Sequence, residues 1–138
     1  TSEDEFKNMI ERSRRFLISA ARNLEDGFID VGSFSANQSL ELFLKAMLLK
    51  EIGDYPHVHD LKVLLQNLGE VSTGARKKKI LLMLKEKSIM LSTIQDSYIM
   101  SRYFNTAYSE EDLRSIIQFI EQIKEELSNV LGNGKKKE

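Results

Sequence analysis

The chain contains no cysteine. That excludes a disulfide framework, thiolate metal sites and a cysteine nucleophile. It is also compatible with a reducing cytosol. Proline occurs once and glycine seven times in 138 residues. A chain of strands needs far more turn punctuation, whereas long helices need almost none. Neither sign of charge is in excess: 20 Lys and Arg stand against 21 Asp and Glu, a formal net charge of −1. A global basic field for nucleic acid is absent, so only local patches remain for such a partner. No apolar run approaches the roughly 20 residues of a membrane span. The longest candidate is broken by Glu41, Lys45 and Lys50. The acidic start from Thr1 to Lys7 has no apolar signal region. These absences lead us to expect a cytoplasmic protein with no membrane partner.

Hydrophobic residues at 41% and charged residues at 30% suit a globular chain with a charged surface. The length fits one domain. The apolar positions recur at helical spacing almost throughout. Ser2 with Glu5 reads as a capping box, followed by Phe6, Met9, Ile10, Leu17, Ala20, Ala21 and Leu24, and then Gly27 as a stop. A second helix is expected from Gly32 or Ser33 to about Ile52, with a stripe that includes Phe34, Leu40, Phe43, Leu44, Met47 and Leu48. Gly53 ends it and Pro56 prevents continuation. A short helix follows over Asp60 to Gly69. A long one is expected over Ala75 to Arg102, with Leu81, Leu84, Leu91, Ile94 and Tyr98 on one face and a candidate break at Ser92 and Thr93. Ser109 caps the last helix, where Glu110, Glu111 and Asp112 complement its positive end. The expected fold is all-α: an up-and-down antiparallel bundle of four to five helices joined by short connections. One domain is expected over residues 1–131, with 132–138 as a flexible polar tail.

Chemistry is sparsely signalled. No glycine-rich phosphate loop and no nucleophile elbow is present. The connector from Asp54 to Asp60 holds His57 and His59, which could present ligands to a metal. Two histidines alone make a poor site, and His59 with Asp60 also reads as a helix start, so no metal and no cofactor is assigned. Tyr98 and Arg102 lie four apart on one helical face. An arginine there can bind phosphate bidentately or pair structurally with Glu41 or Asp96. The run from Arg76 to Lys79 can touch a nucleic-acid backbone, although a solvated helix start explains it as well.

Three segments stand in a suggestive order. The second helix carries Asn37-Gln38-Ser39-Leu40-Glu41-Leu42-Phe43-Leu44-Lys45-Ala46, the short helix opens His59-Asp60-Leu61, and the long helix ends Tyr98-Ile99-Met100-Ser101-Arg102-Tyr103. This order resembles the HEPN family over roughly Met9 to Leu127. The resemblance implies a helical bundle that usually forms a homodimer. It also implies one of two activities. Many members are metal-independent ribonucleases, often toxins paired with a small nucleotidyltransferase antitoxin. Others are non-catalytic and bind nucleotides or a nucleotidyltransferase partner. Catalytic members place a histidine five to seven positions after the arginine. Here Arg102 is followed at those positions by Ala107, Tyr108 and Ser109, none of which is His. Alanine cannot move a proton, and tyrosine does so poorly at its ordinary pKa. The sequence therefore favours a non-catalytic module with no catalytic residue assigned. Glu41, Lys45, His59, Tyr98, Arg102 and Tyr103 are its candidate ligand-binding residues, and nucleotide or RNA is the candidate ligand. A residual ribonuclease and a purely structural dimer are the alternatives.

Overall fold

The structure, a computed structural model, describes residues 1–103 and 109–132, without the side chains of 100–103. Among the described residues six α-helices follow one another: α1 Ser2–Glu25, α2 Ile29–Ile52, α3 Leu61–Val71, α4 Gly74–Glu86, α5 Ser88–Tyr103 and α6 Glu110–Leu127. A π-helical turn, Ser128–Gly132, closes the described chain and buries Leu131. No strand occurs among the described residues. The all-α bundle is as expected, with one helix more.

The extra helix comes from the segment read as a single long one. It divides at Lys87, not at Ser92 and Thr93. Lys87 leaves the helical region at φ −103°, ψ 10°. Its Nζ lies 3.3 Å from Glu126 Oε1 and over the ring of Phe119, both on α6. This tether to α6 accompanies the bend. Thr93 stays inside α5, where its hydroxyl donates back to the Ile89 carbonyl at 2.9 Å. The inner face of α4 also differs from the expected one. Ile80 and Met83 are buried, whereas Leu81 and Leu84 are half-buried.

The caps explain most boundaries. The capping box of α1 is Thr1 with Asp4, one residue earlier than expected. Asp60 accepts from the backbone N–H groups of Lys62 and Val63 at the start of α3. Ser109 and Asp112 cap α6 reciprocally. The start of α2 lacks a side-chain cap and lies at Ile29, before the expected Gly32. Gly27, at φ 78°, turns the chain so tightly that α2 begins at once.

α2 is the centre of the bundle. It packs against α1, α3, α5 and α6. Fifteen of its 24 residues are buried. It therefore has no single apolar stripe; a helix apolar all round is one enclosed by neighbours. Phe34, read as part of a stripe, is 37% exposed. Leu40, Leu44 and Leu48 meet Leu61, Leu64, Leu65 and Leu68 of α3 in one core cluster that also takes in α5 and α6.

Candidate functional site

Polar residues in a helix as enclosed as α2 must find partners. Glu41 is 7% exposed and Lys45 8%. One turn apart, they share a face. Lys45 Nζ donates to Glu41 Oε2 at 2.9 Å. The same carboxylate oxygen meets His59 Nδ1 at 2.7 Å. The connector after Gly53 delivers that histidine just before the Asp60 cap of α3. A carboxylate offers only lone pairs, so His59 Nδ1 donates and Nε2 is left to meet another partner. Lys45 Nζ also lies 5.9 Å from the ring centroid of Tyr55.

Beside this cluster is a cavity of about 330 Å³, within the size range of small-molecule sites. Glu41 and His59 line it together with the amides of Asn37, Gln38 and Gln95 and the ring of Tyr98. α5 contributes Gln95 and Tyr98, which are three apart on one face. Gln95 Oε1 also accepts from the backbone N–H of Leu61, so α5 is tied to the start of α3. The rings of Phe34 and Tyr98 stand 5.3 Å apart at 51°. A second hollow of about 340 Å³ adjoins, between Asp30, Val31, Phe34 and Tyr98.

Four of the six expected residues thus come together. Glu41, Lys45 and His59 are in direct contact, and Tyr98 shares the cavity with Glu41 and His59. The side chains of Arg102 and Tyr103 lie outside the described residues, as do Ala107 and Tyr108; the α5 backbone carries Arg102 one turn past Tyr98. Sequence reasoning missed Gln95. Its signal was only a spacing of three from Tyr98. Asn37 and Gln38 were visible as part of the motif, one turn before Glu41.

The two histidines diverge. His57 sets its ring against Tyr55 at 5.7 Å while His59 turns to Glu41. Among the described residues, no three His, Asp or Glu side chains gather into a group that could hold a metal. No helix among them is long and apolar enough to cross a membrane. Arg76 is occupied: it reaches the Leu131 carbonyl at 3.4 Å and Glu51 at 3.9 Å.

The sequence model of the HEPN domain family matches residues 6–130. The chain belongs to the HEPN family. No curated protein and no solved structure matches it.

Proposed function

We propose that this HEPN-family chain is a non-catalytic module that binds a nucleotide, free or within RNA, at the cavity between α2 and α5. One arrangement supports the reading. A half-satisfied imidazole, fixed by a buried carboxylate, opens onto a cavity with three amides and two aromatic rings. Rings give a base its stacking surface. Amides can read its edge. His59 receives the phosphate when protonated, and Arg102 adds a guanidinium suited to it. Lys45 acts through Glu41, because its ammonium is already engaged there. The chain works as a homodimer. Phe34 and Ile99, 37% and 45% exposed, line the cavity, and Val31, 47% exposed, lines the adjoining hollow; all three suit an interface. A small nucleotidyltransferase is the protein partner, as the family resemblance implies.

Calorimetry with ATP, GTP and a short RNA tests the ligand. Binding by one of them, weakened about tenfold by His59→Ala and by Tyr98→Ala, is expected. An absence of heat with all three sinks the nucleotide reading.

A second reading has its own observation. His59 and Glu41 form an imidazole–carboxylate pair of the kind that serves general acid–base catalysis. His59 would then stand in for the histidine missing after Arg102, and the chain would be a metal-independent ribonuclease. RNA left intact after long incubation with the wild-type protein removes this reading. Cleavage lost in both His59→Ala and Arg102→Ala would establish it.

A further inference from the structure

On the opposite side of α2 lies a groove unconnected with the Glu41 cluster. Ser39 and Phe43 share one face of the helix, and Glu41, two residues on, points about 200° away. α1, α2 and α6 enclose about 520 Å³ there, with walls from Ile10, Leu17, Ile18, Phe43 and Ile117. Two cations also line the groove, Arg14 and Lys124.

Arg14 is taken. It grips Glu11 through two nitrogens, at 3.0 and 2.7 Å. The guanidinium holds the Glu11 carboxyl down at about 2. Lys124 is different. Its Nζ donates to Ser39 Oγ at 2.7 Å and reaches the Ser13 carbonyl at 3.5 Å. The Phe43 ring centroid lies 5.8 Å away. Those partners are neutral, and no carboxylate stands within ion-pair distance of Lys124 among the described residues. Glu121, also on the groove wall, acts on it only through space.

The cradle beneath the amine is built and rigid. Ser13 Oγ donates to the Ser39 carbonyl at 2.6 Å, and Ser39 Oγ donates to the Ser13 carbonyl at 2.7 Å. These crossed bonds lock α1 to α2. They also use up both hydroxyl protons, so Ser39 Oγ meets the ammonium as an acceptor. An ammonium has three donors, and here only one has a short acceptor. A half-buried cation whose nearby carboxylate, Glu121, makes no ion pair with it is a costly arrangement unless an anion completes it.

We propose that this groove is a second ligand site, which takes a small organic carboxylate with an apolar body. The carboxylate is received by Lys124 Nζ, and the body lies along Leu17, Ile18, Phe43 and Ile117. The volume is that of an ordinary small-molecule site. The walls supply apolar contact without direction, and the single uncompensated cation supplies orientation. The desolvation that pushes Lys124 down to about 8 fits a charge awaiting its counter-ion. The groups facing it are Ser13 and Arg14 of α1, Ser39 and Phe43 of α2, and Glu121 of α6.

The test uses two probes of equal chain length, octanoate and octan-1-ol, titrated into isotope-labelled protein and followed by NMR. Octanoate should shift the amides of Leu17, Ile18 and Ile117 and raise the titration midpoint of the Lys124 amine. Octan-1-ol should bind about tenfold more weakly. Lys124→Met should bring the two affinities together. Lys124→Arg should keep octanoate ahead, and so should Arg14→Met. The proposal is overturned if octanoate leaves the groove amides unmoved, or if the wild type binds the two probes equally. Persistence of the preference in Lys124→Met, or its loss in Arg14→Met, also overturns it.

Discussion

Replacing Glu41 by leucine is the most direct test of how α2 is held. The side chains of Lys45 and Glu41 are 10% and 9% exposed. Withdrawing both charges from water is expensive, and their attraction offsets that cost only while both are present. In Glu41→Leu the Lys45 ammonium keeps the face of Tyr55 and loses its carboxylate. Breaking a buried pair costs roughly 3–5 kcal/mol, and the lower end applies where a flexible lysine stem can carry its charge outwards. For 138 residues the unfolding entropy is about 0.3 kcal/mol/K, so a loss of about 3 kcal/mol lowers the melting temperature by about 10 °C. The double variant Glu41→Leu/Lys45→Met removes both charges and keeps apolar volume. It should recover to within about 1 kcal/mol of the parent, because well-packed apolar replacements of an ion pair are often neutral. Far-UV circular dichroism melts of the three proteins decide the matter. If Glu41→Leu melts with the parent, or if the double variant is no better than the single, the pair is not buried as described.

Four further outcomes are expected. His59→Ala should leave the melting temperature within about 2 °C of the parent, since its side chain is 83% exposed, yet weaken nucleotide binding; calorimetry and a melt on one sample separate the two. Lys124→Met should stabilise the chain by roughly 1–3 kcal/mol at pH 7, and denaturant titration should show the gain shrinking by pH 10. The sign follows from the lowered value of about 8 against 10.5: the folded chain sheds this proton first, so the penalty is full below about 8 and fades as pH rises towards 10.5. Gly53→Ala should cost about 1 kcal/mol in the same titration, because φ is 78° there and an L side chain resists it even though a Cβ would meet nothing within 4 Å. Ser109→Ala should cost about 1 kcal/mol by removing the hydroxyl that caps the Asp112 amide at 3.1 Å.

Much of the fold was legible because its punctuation is local. Gly27, Gly53, Asp60 and Ser109 mark helix ends by their own backbone or side-chain chemistry, and each does so in the structure. The division at Lys87 was not legible, because nothing in its own residue type breaks a helix. The contact that accompanies it lies 39 positions on, at Glu126. The same distinction separates the two sites. Glu41 and Lys45 stood in the segment that carries the family resemblance, and His59 was visible besides as one of two histidines in the connector. Lys124 sits among acidic neighbours on an amphipathic helix and reads as solvated. Only the packing of α6 against α1 and α2 reveals that Ser13 and Ser39 surround its amine.

The cost of the Glu41–Lys45 pair bears on its purpose. α2 packs on four helices, and a leucine and a methionine at these positions would fill the same space without desolvating charge. Stability alone therefore gives no reason for ions here. The one thing a hydrophobic pair could not do is hold the imidazole. Glu41 Oε2 accepts from both partners, so Lys45 keeps the carboxylate aimed while His59 takes its second lone pair. An 83% exposed ring would otherwise sample several rotamers and either tautomer. With Nδ1 committed, the remaining nitrogen is presented in one orientation beside the cavity of Tyr98 and Gln95. Under the proposed function Lys45 is a positioning residue. Lys45→Met should therefore lower ligand affinity without touching ligand, and a melt-matched Lys45→Arg should restore part of it. An affinity unchanged in Lys45→Met would show that the ring needs no such hold.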